Sequence, residues 1–483
     1  MSIPIIVWFR RDLRLHDNPA LRSAHDEGGP VIPVYVYAPE EEEPWRPGAA
    51  SRWWLHHSLG ALDASLGAVG FPLLILRGDT SSTLMMLCRR TRARAVYWNR
   101  LYDPAVVARD ARVETVLRKI GVETRSFPGY LLREPGEVMT AAGTPYKVFT
   151  PYSHAVFRLG DPPEAVAAPS GQASSEHGVD SEGVDALRLL PRIRWDTGLR
   201  EAWQPGEAGA WQRAEAFVTP DDFDYAGSRD RPDRDGISRL SPHLHFGEIS
   251  PRALWHALMR SLAGRGREEE AFAYLRQLLW RDFAHQLLFH FPRITEDNFK
   301  PAFDAFPWRS DPALLEAWHR GETGIPLIDA GMRELWHTGF MHNRVRMNVA
   351  SFLTKNAGID WRIGARWFWD TLVDANLANN TLGWQWVTGS GPDAAPYFRI
   401  FNPVTQSRRF DPNGTYIRHW VPALSSLPAR YVHSPWTAPK AVLDKAGVRV
   451  GKDYPSPVVD LKASRQRALD AYKRSVAVLG YPR

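Results

Sequence analysis

The sequence predicts an α/β domain with a parallel sheet, then a long connector, then a larger all-helical domain. Three observations carry that prediction. At 483 residues the chain exceeds the size at which one core keeps growing, so two or more domains are expected. Short apolar runs alternate with helical stretches over the first part of the chain, the pattern of strands joined by crossover helices. Further on, amphipathic stretches succeed one another with no strand pattern between them.

Taken in order, residues 2–9 (SIPIIVWF), 31–38 (VIPVYVYA), 72–78 (PLLILRG) and 95–99 (AVYWN) read as buried strands. Helices are expected near 51–69, 80–92 and 104–120. Neither a GxGxxG nor a Walker loop comes after the first strand, so the usual nucleotide fingerprints are missing. The strand instead runs into Arg10-Arg11-Asp12-Leu13-Arg14-Leu15-His16-Asp17-Asn18-Pro19, a charged stretch that composition reads as a solvated loop ending in a helix cap. From about 130 to 200 the pattern dissolves, and Ala165–Gly183 has the Ala, Ser, Gly and Pro content of a linker. Beyond it, helices are expected over 208–218, 250–263, 268–291, 326–339, 343–356 and 361–372, several of them separated by prolines. These readings place the boundaries at 1–130, 131–200 and 201–483.

Composition excludes several classes. The single cysteine, Cys88, rules out an intrachain disulfide and a Cys-ligated zinc or iron–sulfur site, and no metal site is expected. Ile3 to Phe9 is too short for a signal peptide, and no apolar run reaches spanning length, so a soluble cytoplasmic monomer is expected. A net charge of +6, carried mostly by arginine, permits a nucleic-acid partner without requiring one. Twenty tryptophans, fourteen of them beyond residue 200, raise the question of stacking or electron transfer.

The densest stretch runs from Gly339 to Trp386. Asn343, Arg346 and Met347 stand at i, i+3 and i+4 and share a helix face, more a pocket wall than a core stripe. Asp374, Asn376, Asn380, Trp384 and Trp386 close the stretch. In 274–285, Gln277, Trp280 and Arg281 can stack a base, bond its edge and hold its phosphate; a half-buried Trp beside a surface Arg fits that segment equally. Ser238 and Ser241 precede a helix near Pro242, which suits either a phosphate or simple capping. Trp308, Trp361 and Trp384 lie in separate segments, and spacing alone reads them as core.

Together the motifs resemble the DNA photolyase/cryptochrome family. WFRRDLRLHDNPAL, SRLSPHLHFGEIS, LLWRDF, TGIPLIDAGMRELWHTGFMHNRVRM, LANNTLGWQW and FRIFNPVTQ occur in that family's order and spacing, over nearly the whole chain. The resemblance implies a Rossmann-like N-terminal domain and a helical domain holding FAD non-covalently. It implies FAD contacts from Tyr225, Ser238, Leu240, Ser241, Tyr274, Arg281, Arg346, Asp374, Asn376 and Asn380, with Arg346 pairing Asp374 and Asn380 facing the flavin N5. The implied reaction is light-driven splitting of a cyclobutane pyrimidine dimer flipped out of UV-damaged DNA, a flipping mode general to photolyases. Trp280 and Trp386 would stack on the dimer; Asn343, Met347 and Gln277 would line it; Arg229, Arg344 and Arg399 would take DNA phosphates. Trp384, Trp361 and Trp308 match the family's electron relay. By resemblance, enzymes acting on the (6-4) photoproduct carry two histidines where this chain has Asn343 and Met347, whereas Gln277 is more typical of those enzymes and of some cryptochromes than of cyclobutane-dimer enzymes, which carry glutamate there. The run RHWVPALSSLPARYVHSPWTAP resembles plant cryptochromes and the bacterial photolyases nearest them, which makes a cryptochrome-type blue-light receptor the rival reading; the chain's end at Arg483, with no long tail, speaks against it. For the antenna chromophore, methenyltetrahydrofolate is the first expectation and a deazaflavin the second, although Ala105 and Val106 stand where folate binders carry an Asn-Glu pair.

Overall fold

The computed structural model describes residues 3–170, 178–219, 223–263, 265–393 and 398–478. Five strands form one sheet: β1 (Ile5–Phe9), β2 (Val31–Tyr37), β3 (Leu74–Arg77), β4 (Ala95–Asn99) and β5 (Glu123–Phe127). All neighbours are parallel, in the order β3-β2-β1-β4-β5. Four of these strands stand where apolar runs predict them. The fifth, ETRSF, is an edge strand whose side chains are mostly exposed, so it carries no apolar run to read. Ile6, Trp8, Ile32, Val34, Leu74, Val96 and Trp98 of the sheet pack with Leu84, Leu87, Val113 and Leu117 of helices Thr80–Thr91 and Pro104–Lys119.

The charged stretch after β1 is not a solvated loop. Arg10, Asp12, Arg14, Asp17 and Asn18 are all buried. Arg14 donates to the carbonyls of Asp17, Gly129 and Gly247, the last at 2.8 Å. Asp17 pairs with Arg252 at 2.6 Å. Leu13 donates its N–H to the carbonyl of Phe246 at 3.1 Å. Burial of these charges is tolerable because each meets a partner. The approach needs Gly247, at φ +67°, where an added Cβ would stand 2.1 Å from the Arg11 carbonyl oxygen. The cap expectation holds: Asn18 accepts from the Leu21 N–H and opens helix Pro19–Asp26.

The dissolved region from 130 to 200 also contains more structure than composition suggests. Phe149–Arg158 is a helix that buries Phe149, Tyr152 and Val156. Part of the predicted linker, 171–177, lies outside the described residues.

The chain divides into two compact units. The first comprises Met1–Phe223, Ser238–Pro292 and Val373–Ala378; the second comprises Asp224–Ile237, Arg293–Leu372 and Asn379–Arg483. The first therefore holds the sheet and also helices Pro251–Ala263 and Glu268–His290. Within the second, helices Pro312–Arg320, Pro326–Thr338, Asn343–Ser351 and Trp361–Thr371 surround buried polar anchors. Asp329 accepts from the N–H groups of Thr323 and Gly324 and from the Tyr454 hydroxyl. The helix expected over 343–356 is α-helical only to Ser351 and continues as a π-helix over Phe352–Ala357. No helix among the described residues is long and apolar enough to cross a membrane.

Candidate functional site

In the first unit, helix Glu268–His290 carries Tyr274, Gln277, Trp280 and Arg281. The Tyr274 hydroxyl lies 2.9 Å from Ser238 Oγ, which also accepts from the Leu240 N–H at 3.3 Å. Ser241 begins the short helix Ser241–Phe246 and donates its hydroxyl to Asp374 Oδ2 at 2.6 Å. Three hydroxyls and a carboxylate expected around one cofactor are thus joined by two direct hydrogen bonds.

Arg281, read from spacing as a phosphate holder, is instead buried. Its guanidinium donates to the carbonyls of Tyr130 (2.6 Å) and Leu244 (3.2 Å) and lies over the Tyr130 ring at 4.2 Å. Its donors are directed at backbone and its face at an aromatic, so it orders the site wall. Asn376 Nδ2 approaches both the Tyr130 hydroxyl and His285 Nε2 at 3.2 Å. His285 Nδ1 lies 2.8 Å from the Arg281 carbonyl, so this nitrogen carries the proton and Nε2 accepts from Asn376. Burial first, and Arg281 second, push the His285 imidazole down to about 3, so it stays neutral.

Trp280 is half-buried and stacks on Phe149, with ring centroids 3.7 Å apart and planes at 8°. Phe283 meets its edge at 5.8 Å. Gln277 is half-buried one turn earlier and donates to the Ala273 carbonyl at 3.3 Å. Asp282, beside Arg281, accepts from the N–H groups of Leu132 and Arg133, both at 2.9 Å, and so ties the connector to this helix. Burial pushes its carboxyl up to about 7.

In the second unit, His342 caps helix Asn343–Ser351 by accepting from the Arg344 N–H. Asn343 Nδ2 lies 3.9 Å from Met347 Sδ on one face, as the i, i+4 spacing predicts. Arg346 donates Nε to the Met341 carbonyl at 2.6 Å and lies over Phe340. Arg344 is held by Asp230 at 2.6 Å and by the Phe410 ring at 4.5 Å. Arg229 lies over Tyr225, which is buried, and Arg399 is exposed, its guanidinium 4.9 Å from the Phe401 ring centre.

Trp384 and Trp361 are buried and Trp308 is half-buried. Trp384 packs edge-on against Phe368 (5.0 Å) and Trp318 (6.4 Å). Its ring tip lies over Gly364, where an added Cβ would fall 2.1 Å from Cη2. Gly364 is one turn along helix Trp361–Thr371 from Trp361, which brings Trp384 to the face that Trp361 begins. Trp361 donates Nε1 to Asn298 at 3.0 Å, and Trp308 packs against Phe306 at 4.4 Å. Trp386 is half-buried, while Gln385 between the two tryptophans is fixed inward by the carbonyls of Ile294 and Asp297. Asn380 donates Nδ2 to the Ala365 carbonyl at 3.0 Å, which leaves the oxygen as the end of the amide that can accept from a ligand.

Residues 5–170 match the model of DNA photolyase, and residues 274–474 match that of the FAD binding domain of DNA photolyase. The chain is 47% identical over 472 residues to a deoxyribodipyrimidine photo-lyase of Agrobacterium fabrum, covering 98% of both chains. The chain belongs to the DNA photolyase/cryptochrome family. It is also 40% identical over 481 residues to cryptochrome-1 of Arabidopsis thaliana, covering 96% of this chain and 70% of that one. Its fold superposes on the crystal structure of a bacterial class III photolyase from Agrobacterium tumefaciens with a TM-score of 0.95, at 46% identity and covering 99% of this chain and 98% of that one.

As a photolyase/cryptochrome chain it binds FAD, and the donor set fits that group. A reduced flavin carries N–H donors, and Asn380 keeps an amide oxygen that can accept from one. An open α/β sheet binds ring ligands beyond the carboxyl ends of its strands where strand order reverses, here between β1 and β4. There Arg10 reaches the Asn99 carbonyl and Asp110, and Arg10 and Arg109 both lie over the Trp8 ring, at 4.4 and 4.9 Å. All three residues are buried.

Sequence reasoning misses Tyr130, Phe149, Asp282 and His285. His285 and Asp282 share a helix with Trp280 and could be flagged as buried polar residues on an apolar face. Tyr130 and Phe149 lie where composition reads as connector, and no local pattern marks them.

Proposed function

We propose that this chain is a light-driven DNA repair enzyme, a deoxyribodipyrimidine photo-lyase acting on cyclobutane pyrimidine dimers. The observation that carries the choice of lesion is the Asn343–Met347 pair on one helix face, where (6-4) enzymes present two histidines. Bound and reduced, FAD supplies light absorption and a transferable electron. In this reading Tyr225, Ser238, Leu240, Ser241, Tyr274, Arg281, Arg346, Asp374, Asn376 and Asn380 would hold the cofactor. Asn380 would accept from the flavin N5–H, while the neutral His285 keeps Asn376 oriented. Trp280, backed by Phe149, offers a flat face to a flipped base, and Trp386 offers another. Asn343 and Gln277 bond the polar edge of the dimer, and Met347 packs on its apolar side. Arg229, Arg344 and Arg399 take phosphates; Arg344 does so by exchanging its partner Asp230. Trp384, Trp361 and Trp308 pass electrons inward from the surface.

The proposed antenna is methenyltetrahydrofolate, with a deazaflavin second. Gln277 favours two rivals, a (6-4) photoproduct photolyase and, with the likeness to a plant cryptochrome, a blue-light receptor without repair. Single-turnover repair of a thymine cyclobutane dimer and of a (6-4) photoproduct, side by side with binding to irradiated oligothymidine, tests all three. Repair confined to the (6-4) substrate, or no repair by reduced enzyme, overturns the proposal.

A further inference from the structure

Lys355 is the one lysine among the described residues that is buried, at 3% exposure. It sits in the π-helix Phe352–Ala357, a geometry that recurs at functional sites. Its Nζ donates to the carbonyl of Arg399 at 3.1 Å and lies 3.6 Å from the centre of the Phe398 ring. Phe398 is buried, stacks on Tyr472 at 4.6 Å and meets Phe303 and Phe306. Two residues on, the Phe401 N–H donates to Ser351 Oγ at 3.2 Å. The backbone at Arg399 is therefore held from one helical run, by Lys355 at its own carbonyl and by Ser351 at the Phe401 N–H. Between these anchors only the Arg399 side chain points to solvent, braced on Phe401. Desolvating an ammonium is costly, and a surface segment needs no lysine to pack; the cost is intelligible if the segment must hold one geometry.

We propose that Lys355 is a positioning residue for DNA: by fixing the backbone at Phe398 and Arg399 it sets the exposed Arg399 guanidinium for a backbone phosphate. The proposal rests on the reading of Arg399 as a phosphate contact. A cation held in place neutralises a phosphate and releases its counterions, so each such contact adds about 0.9 to the slope of log K against log salt. An arginine on a loosened segment adds less.

The test measures binding of duplex DNA, with and without a thymine dimer, from low to high salt. The proteins are the FAD-loaded parent, Lys355→Met, Arg399→Ala and the double variant. FAD content and melting temperature report the fold. Arg399→Ala is expected to lower the slope by about one on both DNAs, Lys355→Met to lower it by part of that amount, and the double variant to lower it no further than Arg399→Ala alone. Lys355→Gln, one atom shorter and uncharged, is the second variant, and the same loss is expected because it cannot reach the carbonyl. A lowered slope in Arg399→Ala with parental slopes in the Lys355 variants overturns the role of Lys355 and leaves Arg399 standing. Parental slopes in all variants remove Arg399 from the interface and the proposal with it. Additive losses in the double variant, or failure of both Lys355 variants to fold, assign Lys355 to structure alone and also overturn it.

Discussion

Replacing Trp280 with alanine removes one face of a stack whose other face is Phe149. The two rings are parallel within 8° and only 3.7 Å apart, so the indole cannot tilt without leaving its partner. One platform is worth roughly 1–3 kcal/mol per stacked base. At about 1.4 kcal/mol per tenfold, Trp280→Ala should weaken binding of dimer-containing DNA by about 5- to 150-fold. Undamaged DNA, which keeps its bases in the helix, should bind nearly as before. Phe149→Leu separates the platform from its support. It roughly conserves volume at a buried site, so the cost of repacking stays below about 1.5 kcal/mol. Losing the aromatic pair adds about 0.5–1.5 kcal/mol. The indole is then free to tilt, and dimer affinity should fall by less than in Trp280→Ala. Fluorescence anisotropy with matched damaged and undamaged duplexes measures both variants. Equal losses on the two DNAs would mean that Trp280 is a core residue and that the stacking argument is wrong.

Three further outcomes are expected. Trp384→Phe should abolish blue-light reduction of oxidised FAD in the presence of thiol while chemically pre-reduced enzyme still repairs; Gly364→Ala, which drives a Cβ into the same ring, should slow photoreduction, and normal photoreduction in both would remove Trp384 from the relay. Gln277→Glu should be tolerated, whereas Gln277→Leu should cost about 1–3 kcal/mol of dimer binding because a buried acceptor loses its donor, and an unchanged affinity in single-turnover assays would refute the contact. Burial raises Asp282 to about 7 in the folded state against about 3.9 unfolded, so its contribution is fully present below about pH 4 and is lost as pH rises through 7. Asp282→Asn keeps an acceptor for Leu132 and Arg133 without a charge, so its melting temperature relative to the parent should climb from pH 4 to pH 8; a pH-independent difference would show that the carboxyl titrates normally.

The part of the fold legible in the sequence rests on periodicity. Runs of Ile, Val and Trp placed four strands, and i, i+4 spacing put Asn343 with Met347, where the two side chains meet. β5 escaped because an exposed edge strand has no apolar face to display. The stretch from Arg10 to Asn18 was misread as solvated because its partners, Gly129, Gly247 and Arg252, are distant in sequence, and no local window weighs a charge against a distant carbonyl. The π-helix after Ser351 was invisible because its residues continue the preceding apolar pattern. Phe149, and the burial of Arg281, escape a sequence reading for one reason: which way a side chain on a helix turns is decided by what packs against it, here a segment that composition treats as linker.

The buried pairing of Asp17 with Arg252 has a consequence for how the chain is made. The partners are 235 residues apart, and at roughly 5–20 residues per second Arg252 leaves the ribosome about 12–47 s after Asp17. Throughout that interval the loop beyond β1 carries charges that cannot yet be buried, so the nascent sheet waits with its first crossover open. A chain cut anywhere in the connector would wait indefinitely. Truncation between 131 and 200 should therefore yield an incompletely closed sheet and not an autonomous domain. Pulse-labelled nascent chains should acquire protease resistance only once the segment through Arg252 has emerged.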